Sequence, residues 1–229
     1  MNKKNHLHHI KASNVESCIL LSAGCGMRRR YAYPEPLFPI GEKVLIDYQI
    51  ASIKKYNKNC QIILVIGFKS KKVIDHIHEN YKDIILVENP NYESTTAVES
   101  LRMAMNVVTR GDLFFVYGNN FFNNYIFTFK DKKRPVLVKQ NEQTKKSYNL
   151  GIIEQNGVLT NISYGADQEW AEVMFIPQCL FYNFREAIKE IKPHEDMSHL
   201  INLFNSENPI DISSHKKGKS INIFKVNKE

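Results

Sequence analysis

Apolar runs of strand length alternate with longer amphipathic segments through the first half of the chain, and this alternation limits the folds available to it. The apolar runs are SCILLSAG (17–24), QIILVIGF (61–68) and IILVEN (84–89). Between them lie KVLIDYQIASIKKY (43–56) and KSKKVIDHIHENY (69–81), whose apolar residues recur near helical spacing. Strands that alternate with helices are typical of a parallel sheet with helices packed against it.

A third helix is predicted in the segment STTAVESLRMAMNVV (94–108). Its N-cap is Ser94, Thr95 or Thr96, because hydroxyl side chains accept a hydrogen bond from the first free backbone amides of a helix. Glu99 stands where it could reciprocate in a capping box.

The second half of the chain has a looser pattern. DLFFVYGNN (112–120) predicts one more strand, and after it three runs predict strands of a more antiparallel kind, the middle one with a Gln-Asn-Gly hairpin turn. The three runs are RPVLVKQ (134–140), YNLGIIEQNGVLTNISY (148–164) and EWAEVMFIP (169–177). Two predicted helices and a last strand follow in QCLFYNFREAIKEI (178–191), EDMSHLINLF (195–204) and SINIFKVN (220–227).

These elements predict an α/β protein with a Rossmann-like, three-layer fold. Its sheet is expected to be mostly parallel, with a smaller mixed β region built by the second half. The chain has 229 residues, of which 43% are apolar, and this is enough to bury the core of one large domain. We expect a flexible tail over residues 1–14 and a single domain over 15–229.

The formal net charge of +7 suggests an anionic partner, but the lysines are scattered rather than gathered in one stripe. A solvated basic surface explains them equally well. The sequence has no zinc-finger spacing, basic zipper or RNP-type aromatic motif, so nucleic-acid binding is not expected.

The cysteines Cys18, Cys25, Cys60 and Cys179 form no Cys-x-x-Cys pair. This favours a reducing compartment over a disulfide framework. No apolar run reaches transmembrane length, and the basic N-terminus has no apolar segment behind it. We therefore expect a cytoplasmic protein that does not bind membranes.

The stretch CILLSAGCGMRRR (18–30) combines an apolar strand, a Gly-x-Gly turn and three arginines. Gly24 and Gly26 would let the backbone approach a phosphate closely and turn its amides toward it. Arg28 and the two arginines after it add positive charge at the same place. This loop predicts a site for an anionic ligand.

Three phosphate-binding loops compete for this stretch. A dinucleotide fold would need a third glycine where Arg29 stands, and an acidic residue after the second strand, which QIILVIGF lacks. A P-loop would need a glycine where Ser213 stands, ahead of the Gly-Lys-Ser tripeptide at 218–220. The third pattern, Ala-Gly-x-Gly-x-Arg after the first strand, is the opening signature of nucleotidyltransferases.

Four segments together resemble the sugar-phosphate nucleotidyltransferase superfamily, and most of all its small cytidylyltransferases that act on phosphocholine or similar head groups. They are LLSAGCGMRRR (20–30), PEPLFPIGEKVLIDYQI (34–50), ENPNYESTTAVESLRMA (88–104) and FFVYGNNFF (114–122). The resemblance runs from Cys18 to Phe122, with a looser echo in the C-terminal INIFKVN, and it implies the three-layer (GT-A-like) fold of that superfamily.

The resemblance implies a reaction. A small phosphorylated acceptor would attack the α-phosphorus of a nucleoside triphosphate, which the resemblance to cytidylyltransferases implies is CTP, and pyrophosphate would leave with Mg²⁺ as cofactor. It also implies a nucleotide-binding half at about 15–125 and an acceptor half at about 126–229. Homo-oligomerisation is left open.

The residues that match the nucleotide-binding positions of the family lie in the glycine loop and at the start of the third helix. They are Ser22, Ala23, Gly24, Cys25, Gly26, Met27, Arg28, Thr95, Thr96 and Ser100.

The chain departs from the family at the positions that carry the chemistry. Glu35 replaces the usual catalytic lysine, and Asn119 replaces the aspartate that binds the metal. Asn227 is aligned with the second metal ligand. Arg28 matches the loop arginine of the family, and Lys43 is a candidate substitute for the missing lysine, as are Arg29 and Arg30.

These departures leave two hypotheses. The protein is either a nucleotidyltransferase with a rebuilt site or a degenerate member that binds a nucleotide or a partner protein without turnover. Mg²⁺ prefers charged oxygen donors, so two amide ligands would leave the ion held mainly by the nucleotide unless Glu35 has become a ligand.

The acceptor site is expected in the second half, where Trp170, with Tyr164, Phe175 and Tyr182 nearby in the sequence, could form an aromatic box for a quaternary ammonium. Lys139 is a polar candidate in the same half. Aromatic residues in strands are more often part of the core. A choline-like acceptor, a sugar phosphate, an aminoethylphosphonate-like acceptor and no acceptor at all therefore remain open.

Overall fold

The computed structural model describes most of the chain. The described residues are 16–25, 33–109, 111–129, 132–140, 149–214 and 220–222. The predicted tail at 1–14 lies outside them, as do Gly26, Met27, Arg28 and Asn227.

Thirteen strands and five α-helices form in the described residues. In chain order the strands are β1 (Ser17–Leu21), β2 (Pro39–Ile40), β3 (Lys43–Val44), β4 (Gln61–Ile66), β5 (Ile84–Glu88), β6 (Leu113–Tyr117), β7 (Asn120–Phe122), β8 (Val136–Lys139), β9 (Leu150–Gln155), β10 (Val158–Tyr164), β11 (Gln168–Ile176), β12 (Asp211–Ser213) and β13 (Ser220–Asn222). The helices are α1 (Leu45–Tyr56), α2 (Ser70–Asn80), α3 (Ala97–Ala104), α4 (Phe181–Glu190) and α5 (Met197–Glu207).

Nine strands form one continuous sheet in the order β5-β4-β1-β6-β11-β8-β12-β10-β9. The first four are parallel, whereas β11 runs antiparallel to β6, and the strands beyond it are mixed. The α/β class is as expected. The mixed region, however, is not the smaller part, because it supplies five of the nine strands and extends the same sheet.

Both faces of the sheet are covered, which explains why the strands of the first half are apolar along their whole length. On β1, Ile19 and Leu21 face one core, and Cys18 and Leu20 face the other. Helices α3, α4 and α5 pack on the first face, and α1 and α2 pack on the second. The result is the expected three-layer arrangement.

The start of α3 differs from the predicted capping box. Thr96 is the N-cap, and its hydroxyl accepts a hydrogen bond from the backbone N–H of Val98. Glu99 does not complete the box, because its carboxylate pairs with the guanidinium of Arg102. A partly buried arginine one turn along the helix therefore outcompetes a backbone amide for this carboxylate.

A polar network lies at the amino end of β1. The buried carboxylate of Glu16 accepts hydrogen bonds from Tyr56 Oη, Asn57 Nδ2 and Lys132 Nζ, each at 2.8 Å. The phenol of Tyr56 has its pKa raised to about 12, chiefly by burial. The network joins the residue before β1 to the C-terminal end of α1.

No helix in the part of the chain that the structure describes is long and apolar enough to cross a membrane.

The aromatic cluster around Phe114 gives a test of the core. The ring of Phe114 lies 5.1 Å from that of Phe127 and 5.0 Å from that of Phe175, centroid to centroid. We expect Phe114→Ala to lower the free energy of unfolding by about 3–5 kcal/mol, because it removes buried surface and leaves a cavity. Urea unfolding measures the loss, with the exposed Tyr125→Ala as the control. Equal stability of the two variants would show that this cluster does not support the core.

Candidate functional site

A cleft of about 230 Å³ opens at the carboxyl ends of the parallel strands. It is lined by residues that follow β1, β5 and β6, together with the start of α3 and one residue of a short 3-10 helix at Glu35–Leu37. Neighbours of β1 lie on both sides, so the chain leaves β1 where the strand order reverses. Open α/β sheets bind ligands at this kind of switch point.

The glycine loop enters the cleft immediately after β1. Ala23 and Gly24 line the cleft, and the carbonyl of Ala23 accepts a hydrogen bond from the N–H of Phe68 at 2.8 Å. A Cβ added at Gly67 would lie 2.6 Å from that carbonyl, so only glycine permits this close crossing of the two loops. The backbone of Ala23 is therefore fixed beside the cleft.

The other loop residues from the sequence are placed differently. Ser22 is buried beneath the loop, and its hydroxyl has no hydrogen-bond partner among the described residues. Cys25 is partly exposed and does not line the cleft.

Asn89, which the sequence analysis did not select, organises the far wall of the cleft. It is buried, and its Nδ2 donates to the hydroxyls of Thr95 and Ser100, both at 3.1 Å. Its Oδ1 accepts a hydrogen bond from the N–H of Asn91 at 3.0 Å. Its position, directly after the apolar run of β5 and before a proline, was the available signal.

Thr95, Thr96 and Ser100 all line the cleft together with Ala23 and Gly24. The hydroxyl of Thr96 is already engaged, because it donates to the carbonyl of Glu195 at 2.6 Å as well as capping α3. Thr96 therefore joins α3 to the connection between α4 and α5.

Glu35 and Asn119 meet in the same cleft, although 83 residues lie between them in the chain. The side-chain oxygen of Asn119 is buried and has no hydrogen-bond partner among the described residues. Lys43 is exposed on the β2–β3 hairpin and does not line the cleft.

The oxygen donors of the cleft suit a metal ion that is bound partly by the protein and partly by a phosphorylated ligand. The described residues hold no group of three or more His, Cys, Asp or Glu side chains that could bind a metal ion by itself. Mg²⁺ usually keeps several waters and is bound through one or two protein oxygens plus substrate phosphates. The orphaned oxygen of Asn119 and the carboxylate of Glu35 fit a Mg²⁺ ion that arrives with a triphosphate.

A second set of polar side chains lies at the Tyr117 end of the cleft. Burial raises the pKa of the Tyr117 phenol well above its ordinary value, and the negative charges of Glu172 and Asp196 and the nearby Tyr164 raise it further. Tyr164 Oη donates to Asp196 Oδ2 at 3.0 Å. Both phenols therefore stay neutral at physiological pH.

The acceptor residues selected from the sequence do not line this cleft. Trp170 is 1% exposed, and its Nε1 donates to the carbonyl of Val173. Tyr182 lies on α4, in a separate groove between α4 and α5. Lys139 Nζ lies 2.6 Å from Glu154 Oε1, on the mixed part of the sheet. The geometry gives these three assignments no support.

Comparison with solved structures identifies the fold. CTP:phosphocholine cytidylyltransferase from Streptococcus pneumoniae superposes with a TM-score of 0.74 at 19% identity, covering 92% of this chain and 94% of that one. Inositol-1-phosphate CTP transferase from T. maritima gives 0.69 at 12% identity, covering 92% and 90%. A UDP-glucose pyrophosphorylase gives 0.70 at 11% identity, covering 91% and 93%.

The curated sequence relatives match a smaller share of this chain than the solved structures do. The bifunctional protein GlmU of Methanococcus vannielii is 28% identical over 139 residues, which are 59% of this chain and 31% of that protein. GlmU of Methanococcus maripaludis strain C5 is 27% identical over 139 residues, which are 59% of this chain and 32% of that protein. The match thus spans about a third of the length of these curated relatives. No family model matches the chain.

The chain therefore has the sugar-phosphate nucleotidyltransferase fold. Within that fold it is a distant homologue of GlmU proteins, and its overall structure resembles that of cytidylyltransferases.

The Asn89 network generates a test of how the cleft wall is held. We expect Asn89→Ala to lower the free energy of unfolding by about 1–3 kcal/mol, because the hydroxyls of Thr95 and Ser100 lose a shared donor in a buried setting. Urea unfolding measures this, with the exposed neighbour Glu93→Ala as the control. If Asn89→Ala were as stable as the control, the network would not organise the wall.

Proposed function

We propose that the protein is a nucleotidyltransferase that binds a nucleoside triphosphate in the cleft and transfers its nucleoside monophosphate to a small phosphorylated acceptor. CMP is the first candidate for the transferred group. One observation carries the proposal: four separate segments of the chain bring Ala23, Gly24, Ser100, Glu35 and Asn119 to one cleft at the switch point of the sheet.

The reaction needs positioning and charge control more than covalent help from the protein. An oxygen of the acceptor phosphate attacks the α-phosphorus, and the bond from that phosphorus to the bridging oxygen breaks. Pyrophosphate leaves with the bonding electrons. Holding the two phosphates in line makes the attack effectively intramolecular.

The residues of the cleft have separate roles in this reaction. The exposed backbone of Gly24 allows a phosphate to approach closely, since no Cβ stands in the way. Asn119 and Glu35 would hold Mg²⁺, which supplies neutralisation of the phosphate charge when it is bound. Thr95 and Ser100 offer hydroxyl groups on the opposite wall, oriented by Asn89.

A specific observation favours a second candidate, a module that binds a nucleotide without turnover. Among the described residues that line the cleft there is no lysine or arginine, and Glu35 adds a negative charge. A carboxylate beside a triphosphate repels it, and a cleft wall without a cation gives no positive charge to stabilise the transition state. The arginines at 28–30 are outside the described residues and are the candidates for this charge.

For the acceptor we propose a phosphorylated amino alcohol, with a choline-like group as the leading case. Tyr117 lines the cleft, and the exposed ring of Tyr164 and the carboxylate of Asp196 lie at the same end. A neutral phenol ring and a carboxylate attract a positively charged ammonium group. Tyr164 belongs to the aromatic set considered from the sequence, and Tyr117 takes the place considered there for Trp170 and Tyr182.

Nucleotide binding can be tested first by thermal unfolding with ATP, CTP, GTP and UTP, each with and without Mg²⁺. A ligand that binds only the folded state at a hundredfold excess over its Kd stabilises it by about 2.7 kcal/mol. We expect a rise in the unfolding midpoint with CTP that grows when Mg²⁺ is added. The absence of a shift with all four nucleotides would overturn both nucleotide-binding candidates.

Catalytic competence can be tested by reversing the two departures. We expect Glu35→Lys with Asn119→Asp to create or raise pyrophosphate release from CTP and phosphocholine, because the lysine would contact the phosphates directly and the carboxylate at position 119 would take over metal binding from Glu35. A single transition-state contact of this kind contributes about 10²–10³ in rate. The control, Glu42→Lys with Asn156→Asp, makes the same charge changes at exposed positions. Equal release by both double variants would favour the module without turnover.

A further inference from the structure

We propose that Gln49 and Glu172 are positioning residues that hold the turn at residues 118–120 from opposite sides and so fix Asn119 in the cleft. The inference rests on the proposed function, because it assigns these two residues to the oxygen donor that would face Mg²⁺. Neither residue lines the cleft.

Gln49 reaches the turn from helix α1. Its side chain is completely buried, and its Nε2 donates to the carbonyl of Gly118 at 2.9 Å and to that of Asn120 at 2.7 Å. These two carbonyls flank Asn119 on either side. A single amide group therefore ties the backbone both before and after the cleft residue.

Glu172 reaches the same turn from strand β11. Its Oε2 accepts a hydrogen bond from Asn120 Nδ2 at 3.0 Å, and Asn120 is completely buried. The same Nδ2 makes a longer contact of 3.4 Å to the carbonyl of Ala171. The acceptor half of the chain thus holds the residue next to Asn119.

The backbone at Glu172 shows that this contact is built into the strand. Pairing of β11 with β8 shifts register between Trp170 and Met174, and Glu172 within this bulge has φ of +59°. Left-handed backbone is unfavourable for a residue with a side chain, and glycine would adopt it freely. Bulges commonly redirect a side chain toward a site, and here the redirected carboxylate meets Asn120.

The turn is also packed tightly from below. A Cβ added at Gly118 would lie 1.7 Å from Ser22 Oγ, so the turn rests directly against the end of β1. Contact with β1 limits its movement toward the sheet, and Gln49 and Glu172 limit its movement to the sides.

Unpaired oxygens around the turn indicate what this rigidity serves. The side-chain oxygens of Gln49, Asn119 and Asn120 are buried and have no hydrogen-bond partner among the residues that the structure describes. Buried acceptors left unpaired are costly, and such groups are concentrated at functional sites. Of the three residues, Asn119 lines the cleft, so its oxygen is the one offered to a ligand.

The test compares Glu172→Gly and Glu172→Gln with the wild-type protein. Glutamine keeps an oxygen that can accept from Asn120 Nδ2, whereas glycine removes it and at the same time relieves the backbone. Asn156→Gly is the matched control, because Asn156 has φ of +53° in an exposed hairpin turn away from the cleft.

Two readouts are needed. Hydrogen–deuterium exchange of residues 117–122 in the protein without nucleotide reports the clamp itself. Calorimetric titration of CTP with and without Mg²⁺ reports its effect on the cleft. We expect Glu172→Gly to speed exchange in this segment by about tenfold or more, since a local opening becomes easier. We also expect it to weaken the Mg²⁺-dependent part of CTP affinity by about tenfold, as loss of an outer-shell contact does for metal sites.

The remaining expectations separate positioning from general stability. Glu172→Gly should unfold within a few degrees of the wild-type midpoint, CTP affinity without Mg²⁺ should be unchanged, and Glu172→Gln should restore both readouts. Gln49→Leu should reproduce the faster exchange. Wild-type exchange and Mg²⁺ dependence in Glu172→Gly would overturn the inference, and so would a Glu172→Gln variant as impaired as the glycine variant.

Failure of the proposed function would look different. If the wild-type protein bound no nucleotide, the exchange measurement would still decide whether Gln49 and Glu172 hold the turn, independently of what the cleft binds.

Discussion

Parallel pairing of β1 with a strand on each side is the constraint on which the rest of the structure depends. Ser17–Leu21 pair in register with both β4 and β6, and all five residues are buried. The strand is therefore fixed along both edges and both faces, and the chain leaves the sheet after its last residue. The glycine loop starts at this carboxyl end, where the strand order reverses because β4 and β6 lie on opposite sides of β1.

This placement also sets the electrostatic problem of the cleft. The backbone amides and glycines of the loop favour an anion, but Glu35 brings a negative charge into the same space. Coulomb repulsion between two unit charges at about 4 Å is about 1 kcal/mol in water and about 4 kcal/mol at the dielectric of a protein surface. If Glu35 and Asn119 held Mg²⁺ as proposed, the ion would supply the positive charge that offsets this repulsion.

Much of the fold can be predicted from the sequence, because buried strands and amphipathic helices leave strong patterns. The continuous apolar runs of β1, β4 and β6 and the helical spacing of α1 and α2 are examples. The hairpin of β2 and β3 and the strand β12 have two or three residues each, too few for any periodicity to show. The sequence also does not predict how far the mixed part of the sheet extends, because the pairing of strands that are distant in the chain leaves no local sequence pattern.

The site was less predictable than the fold. Local motifs point to the glycine loop and the α3 start, and of these Ala23, Gly24, Thr95, Thr96 and Ser100 line one cleft. Trp170 and Tyr182 were selected for their aromatic rings, but burial of the one and the helix face of the other depend on tertiary packing. Glu172 gave no sequence signal, because nothing local shows that a strand residue adopts a left-handed backbone.

The turn at residues 118–120 links the two halves of the chain in a way that neither half could achieve alone. Gln49 lies on α1 and Glu172 on β11, and their hydrogen bonds converge on residues that adjoin Asn119. The two hydrogen bonds of Gln49 are buried at 2.9 and 2.7 Å, and that of Glu172 is partly buried at 3.0 Å. The placement of β11 in the sheet and the position of Asn119 are thus joined by a contiguous set of contacts, and the cleft depends on residues that do not line it.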